Sequence, residues 1–136
     1  MALVLLYNLT DKEKFTQIRF ALLKLGLPWR EVKPEEYPLP LGQLAGLDVS
    51  AAEEEETTEV FRNEMLVMCG LEQGKFHAFL DQLRRSRATV ELKAVLTESN
   101  AAWSSFRLHR EIAAEHEAMK NISSTRKARQ NSRHKS

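Results

Sequence analysis

The sequence predicts an α/β fold: a four-stranded, mainly parallel sheet in the order 2-1-3-4, with helices on both faces. Three observations carry that expectation. Leu3–Tyr7 (LVLLY) and Met65–Cys69 (MLVMC) are apolar at every position, as strands covered on both faces are. Two other strand-like runs, Trp29–Lys33 and Val90–Leu96, carry more polar residues, which puts them at the sheet edges. Each apolar run is followed by helical spacing, so the chain reads strand, helix, strand, short helix, written twice. The alternative is a ferredoxin-like α+β arrangement, in which helices cover one face only.

The elements follow in order. After the first strand, Thr10 and Glu13 have the spacing of a capping box. Phe15, Ile18, Leu22 and Leu25 then recur at helical spacing, and Gly26 supplies a stop. Pro34 closes the second strand, and Pro38–Leu47 contains a short helix with Leu41, Leu44 and Ala45 on one side. In the second half, Phe76, Phe79, Leu80 and Leu83 mark an amphipathic helix. A long last helix is expected from about Asn100 to Met119. Asn8-Leu9 sits where Gly70-Leu71 sits, and Lys14-Phe15 where Lys75-Phe76 sits, one residue out of step. An internal duplication and the likeness of any two strand–helix units explain this equally.

At 136 residues the chain reads as one domain, residues 1–119, built of halves 1–47 and 64–119. The halves are joined by an acidic loop, 48–63, and followed by a basic tail, 120–136. Asp48, Glu53, Glu54, Glu55, Glu56 and Glu59 are uncompensated by any base within residues 48–59, as Lys120, Arg126, Lys127, Arg129, Arg133 and Lys135 are by any acid within 120–136. Such composition favours solvated chain, so the tail is expected to be disordered. One cysteine excludes an intramolecular disulfide and a four-cysteine metal site. The opening MALVLLYNL lacks a positive flank and a small-residue cleavage site, so it reads as a strand rather than a signal peptide. No apolar run approaches the length of a membrane span. A cytoplasmic protein is the resulting expectation.

The stretch MLVMCGL, followed by KFHAFLDQLRR, LKAVLTESNAAW and EIAAEHEAM, resembles a small bacterial family catalogued as domain of unknown function 3783. The likeness rests on Lys93 to Thr97, then Asn100 and Trp103, and extends to LLYNL and PLGQLAGL in the first half, covering 3–47 and 64–119. Glu98 stands where the family often has proline. The resemblance implies a small stand-alone bacterial protein and supplies no activity.

Candidate chemistry is sparse. Gly70 to Gly74 is one residue short of a phosphate loop, and Phe76 replaces its hydroxyl. Cys69 has no nearby histidine pattern and reads as a buried thiol. His109 and His116, seven residues apart on one helix, are too far apart to share a metal. Capping and packing account for Thr97, Ser99, Asn100 and Trp103. If all four strands are parallel, their carboxyl ends bring Tyr7, Asn8, Cys69, Gly70, Thr97, Asn100 and Trp103 to one border, where a small anionic ligand would sit. The function so favoured is ligand binding or protein interaction without catalysis, with no cofactor, no metal and no membrane contact. The alternative is weak, non-specific RNA or ribosome association through Arg126, Lys127, Arg129, Arg133 and Lys135. The tail has no aromatic residue for base stacking.

Overall fold

The computed structural model describes the backbone of residues 2–51 and 60–134, and the side chains of that range up to residue 119. Its elements are β1 (Leu3–Tyr7), α1 (Lys12–Lys24), β2 (Trp29–Glu31), α2 (Leu41–Leu44), β3 (Met65–Cys69), α3 (Gln73–Arg85), β4 (Leu92–Val95) and α4 (Ser105–His134). A one-turn 3-10 helix, Pro34–Glu36, follows β2.

The sheet has the expected order, β2-β1-β3-β4. Its sense is not the expected one. β1 is parallel to β2 and β3 is parallel to β4, but the central pair β1–β3 is antiparallel, with Leu5 opposite Val67 and Tyr7 opposite Met65. The sheet is therefore mixed, and the mainly parallel reading is corrected. The ferredoxin-like alternative fails too, because the reversal falls between the central strands and not between centre and edge. Continuous apolar runs report coverage of both faces, and coverage says nothing of direction.

The reversal also decides which helices share a face. Right-handed crossovers in a parallel 2-1-3-4 sheet would put α1 and α3 on opposite faces. Here Ile18 and Leu22 of α1 and Phe79 and Leu83 of α3 pack with Val4, Leu6, Leu66 and Met68. The other face carries α2 and α4, whose Leu41, Leu44, Phe106 and Leu108 pack with Leu5, Tyr7, Val67 and Cys69. The residues of β1 and β3 thus face one layer or the other in strict alternation, and both layers are apolar.

The two halves are related by an approximate two-fold axis through the Leu5–Val67 pair, normal to the sheet. Left-handed backbone recurs at matching positions: Asn8 (φ 59°) with Gly70 (φ 63°), and Gly26 (φ 67°) with Arg87 (φ 59°). The helix ends match as well. Leu27 N donates to Leu22 O at 2.9 Å, and Ala88 N to Leu83 O at 3.0 Å. Beyond the edge strands, Lys33 N donates to Glu36 Oε1 at 3.1 Å, as Thr97 N does to Asn100 Oδ1 at 2.8 Å. Leu44 N donates to Pro40 O as Leu108 N does to Ser104 O, both at 3.1 Å. Pro40 and Ser104 form an antiparallel bridge with each other. Residues 33–45 therefore correspond to 97–109, position by position.

Boundaries differ from expectation at the caps. Asp11, not Thr10, caps α1, its Oδ1 accepting from Glu13 N and Lys14 N. Residues 100–103 form turns, and α4 begins at Ser105, with Ser104 Oγ accepting from Arg107 N at 3.2 Å. The backbone of α4 continues as helix past Met119 to His134, where the composition leads one to expect a tail without fold. Of the acidic loop, Glu53, Glu54, Glu55, Glu56 and Glu59 lie outside the described residues.

Candidate functional site

The antiparallel centre sends the carboxyl ends of β1 and β3 to opposite borders of the sheet. Tyr7 and Asn8 stand at one border, Cys69, Gly70, Thr97 and Asn100 at the other. The single rim expected from seven residues does not form.

The Tyr7 border is filled. Phe61 lies between the rings of Tyr37 (centroids 4.6 Å apart, planes at 14°) and His109 (4.1 Å, 2°). Tyr7 and Phe106 pack against Tyr37 at 5.6 Å each. Polar atoms in this cluster are paired within it. Tyr7 Oη and Ser105 Oγ are 2.7 Å apart, and Tyr37 Oη donates to Asn8 Oδ1 at 3.2 Å. Asn8 Nδ2 donates to the carbonyls of Phe61 and Asn63, which fastens the segment before β3 onto the end of β1. Asn63 Nδ2 donates to Glu91, so its Oδ1 accepts from His109 Nε2 at 2.8 Å and the ring carries its proton on that nitrogen. Burial raises the pKa of both tyrosines and lowers that of His109, the last partly offset by Glu91. Among the described residues the cluster is a plug of packed rings.

The Cys69 border is open. A cavity of about 310 Å³ is walled by Ala45 and Leu47 after α2, by Cys69 and Gly70 at the end of β3, and by Leu96, Thr97, Glu98 and Ala101 after β4. Its shape follows from local backbone. Asn100 Oδ1 accepts from Thr97 N, Thr97 Oγ1 accepts from Asn100 N at 3.2 Å, and Asn100 Nδ2 donates to Val95 O at 3.0 Å. These bonds fold 97–100 into a tight turn and spend the side chain of Asn100, which is 8% exposed. Gly42 N donates to Ala101 O at 2.8 Å, and a Cβ at Gly42 would come within 2.7 Å of Val49 Cγ2 and 3.2 Å of that same carbonyl. Glycine is what lets α2 approach this wall. Cys69 is buried, its thiol pushed up to about 11 by that burial, so it is protonated at neutral pH and serves as wall rather than nucleophile.

Of the residues expected to meet, the structure brings Cys69, Gly70 and Thr97 to the cavity. It leaves Asn100 behind the turn and Trp103 beside it, with the Arg107 guanidinium 4.2 Å from the indole centroid. Tyr7 and Asn8 belong to the opposite border. Sequence reasoning missed Ala45, Leu47, Leu96, Glu98 and Ala101 as lining; small and aliphatic side chains carry no chemical signature. Among the described residues no three His, Cys, Asp or Glu gather as a metal site, and no helix is long and apolar enough to cross a membrane.

Residues 64–119 match the family model described as a domain of unknown function (DUF3783). The match takes in β3, α3, β4 and the first part of α4, with every cavity residue except Ala45 and Leu47. The first half, residues 3–47, lies outside it. Neither the curated proteins nor the solved structures yield a match.

Proposed function

Starting from the premise that residues 64–119 are a DUF3783 domain, whose family description assigns no activity, we propose that the chain is a small-molecule-binding domain. The cavity at the carboxyl ends of β3 and β4 carries this reading. Mostly apolar walls with a few polar groups at the mouth are the usual build of a small-ligand pocket, and the volume falls at the lower end of the range for such sites. The ligand differs from the anion expected of a parallel sheet. Glu98 is the one charged side chain among the described lining residues, and a carboxylate there repels an anion. A neutral or cationic molecule with a substantial apolar part fits better.

Among the described residues no acid/base pair or activated nucleophile faces the cavity, and the Cys69 thiol is held in its unreactive form, so binding without chemistry is the economical reading. The RNA alternative rests on Arg126, Lys127, Arg129, Arg133 and Lys135, whose side chains lie outside the described residues, and no observation on the described surface adds to it. The test is an NMR titration of the full chain with a mixed panel of small aliphatic, aromatic, cationic and anionic compounds. The expected result is that neutral or cationic members shift the amides of Gly70, Thr97 and Ala101. If no panel member moves those amides, the cavity is only a packing gap and the reading fails.

A further inference from the structure

We infer that the cavity takes a planar aromatic ring. This rests on the small-molecule reading above and specifies the class of molecule. The approximate two-fold axis makes residues of the two borders equivalent. The hydrogen bonds beyond the two edge strands match Lys33 to Thr97, Glu36 to Asn100 and Leu44 to Leu108, so Tyr37 corresponds to Ala101 and Ala45 to His109. The ends of β1 and β3 match through the left-handed residues Asn8 and Gly70, so Tyr7 corresponds to Cys69. At the filled border, Phe61 is sandwiched between Tyr37 and His109 with nearly parallel rings. The counterparts of those two walls, Ala101 and Ala45, both line the cavity. The open space is therefore the place that Phe61 occupies in the other half, widened by exchanging Tyr37 for Ala101, His109 for Ala45 and Tyr7 for Cys69.

The size agrees. An apolar void of roughly 150 Å³ accepts benzene, so 310 Å³ accommodates one ring with substituents or a fused pair. The mouth selects within that class. Glu98 and the Thr97 hydroxyl favour a ring bearing an N–H or O–H donor over one bearing a carboxylate.

The experiment compares indole with hexanol, an aliphatic alcohol of similar apolar content, on the full chain by NMR titration. Indole is expected to bind more tightly, and its ring protons to show NOEs to the methyl groups of Ala45 and Ala101. Ala101→Tyr restores the residue found at Tyr37 and should weaken indole on the order of tenfold or more. The NOEs to wild type decide the matter should that variant not fold. Equal or tighter hexanol binding at the same amides would overturn the ring assignment and leave the cavity reading standing. Indole shifts confined to residues elsewhere would overturn it likewise, and silence from both probes and the wider panel would remove both readings.

Discussion

The two borders of the sheet are built on one backbone plan and finished in opposite ways. At the end of β1, Tyr7, Tyr37, Phe61 and His109 close the space between strand and helix layers with rings, and each buried hydroxyl or amide finds a partner there. At the end of β3 the corresponding wall residues are Cys69, Ala101 and Ala45, and a cavity remains. Equivalent hydrogen bonds hold the turn in both places, by Glu36 in one and Asn100 in the other. The frame is thus kept while the filling is dropped. That contrast separates what stabilises this fold from what is available for binding, since the first half shows the frame does not require the space to be empty.

Removing the plug is the strongest way to break the contrast. Phe61→Ala deletes a side chain that is 7% exposed and stacked on two rings, and should cost about 3–5 kcal/mol in denaturant unfolding. It should also open a second apolar seat, so that added indole recovers part of the lost stability. A loss below about 1 kcal/mol would show that Phe61 does not fill the border as described. Next in size is the turn that shapes the open side. Asn100→Ala leaves Thr97 N and Val95 O without their side-chain partners, which should cost about 1–3 kcal/mol. Because Asn100 does not face the cavity, probe affinity should change far less than stability. The reverse ordering would return Asn100 to the binding wall.

These residues also mark how far the sequence could be read. LVLLY and MLVMC announced two covered strands, and the polar content of the other two placed them at the edges, so strand order was legible. Strand sense was not. Direction at the centre is set by where the connection between Leu44 and Met65 delivers the chain, and that stretch carries no periodic signal. One unreadable reversal moved Tyr7 and Asn8, two of the seven expected rim residues, to the far border. Cys69, Gly70 and Thr97, which line the cavity, could be assigned to a sheet border because strand ends are recognisable. Ala45 and Ala101 were not, because an alanine facing a void and an alanine packed in a core look alike in sequence.

Acid should distinguish the borders through His109. Its pKa is depressed mainly by burial against the Phe61 ring side of the cluster, so the unfolded chain takes up a proton first as pH falls. The stability concerned is complete above the ordinary imidazole pKa near 6.5 and is lost as pH falls through the lower folded value. Urea midpoints should therefore drop between about pH 7.5 and pH 5.5. His109→Phe keeps a ring on Phe61 and removes the proton, and should flatten that part of the profile. A slope unchanged in the variant would assign the effect to another group.

The smallest expected effect concerns the outer surfaces of α1 and α3, where the halves differ without any cavity being involved. Matched through their ends, the helices place exposed Phe20 and Leu23 (61% and 62% exposed) where α3 has Asp81 and Arg84. Asp81 pairs with Arg85 at 3.1 Å, one turn on. Phe20→Asp sets a carboxylate four residues before Lys24 in the same geometry, and Leu23→Arg completes the copy. Neither side chain is part of the core, and an exposed i,i+4 pair is worth only about 0.3–0.5 kcal/mol, so the double variant should lie within about 0.5 kcal/mol of the parent. A loss well beyond that, made larger by raising protein concentration for the parent alone, would mean that α1 is covered in solution by a second copy, and that the two halves differ at a contact surface as well as at the cavity.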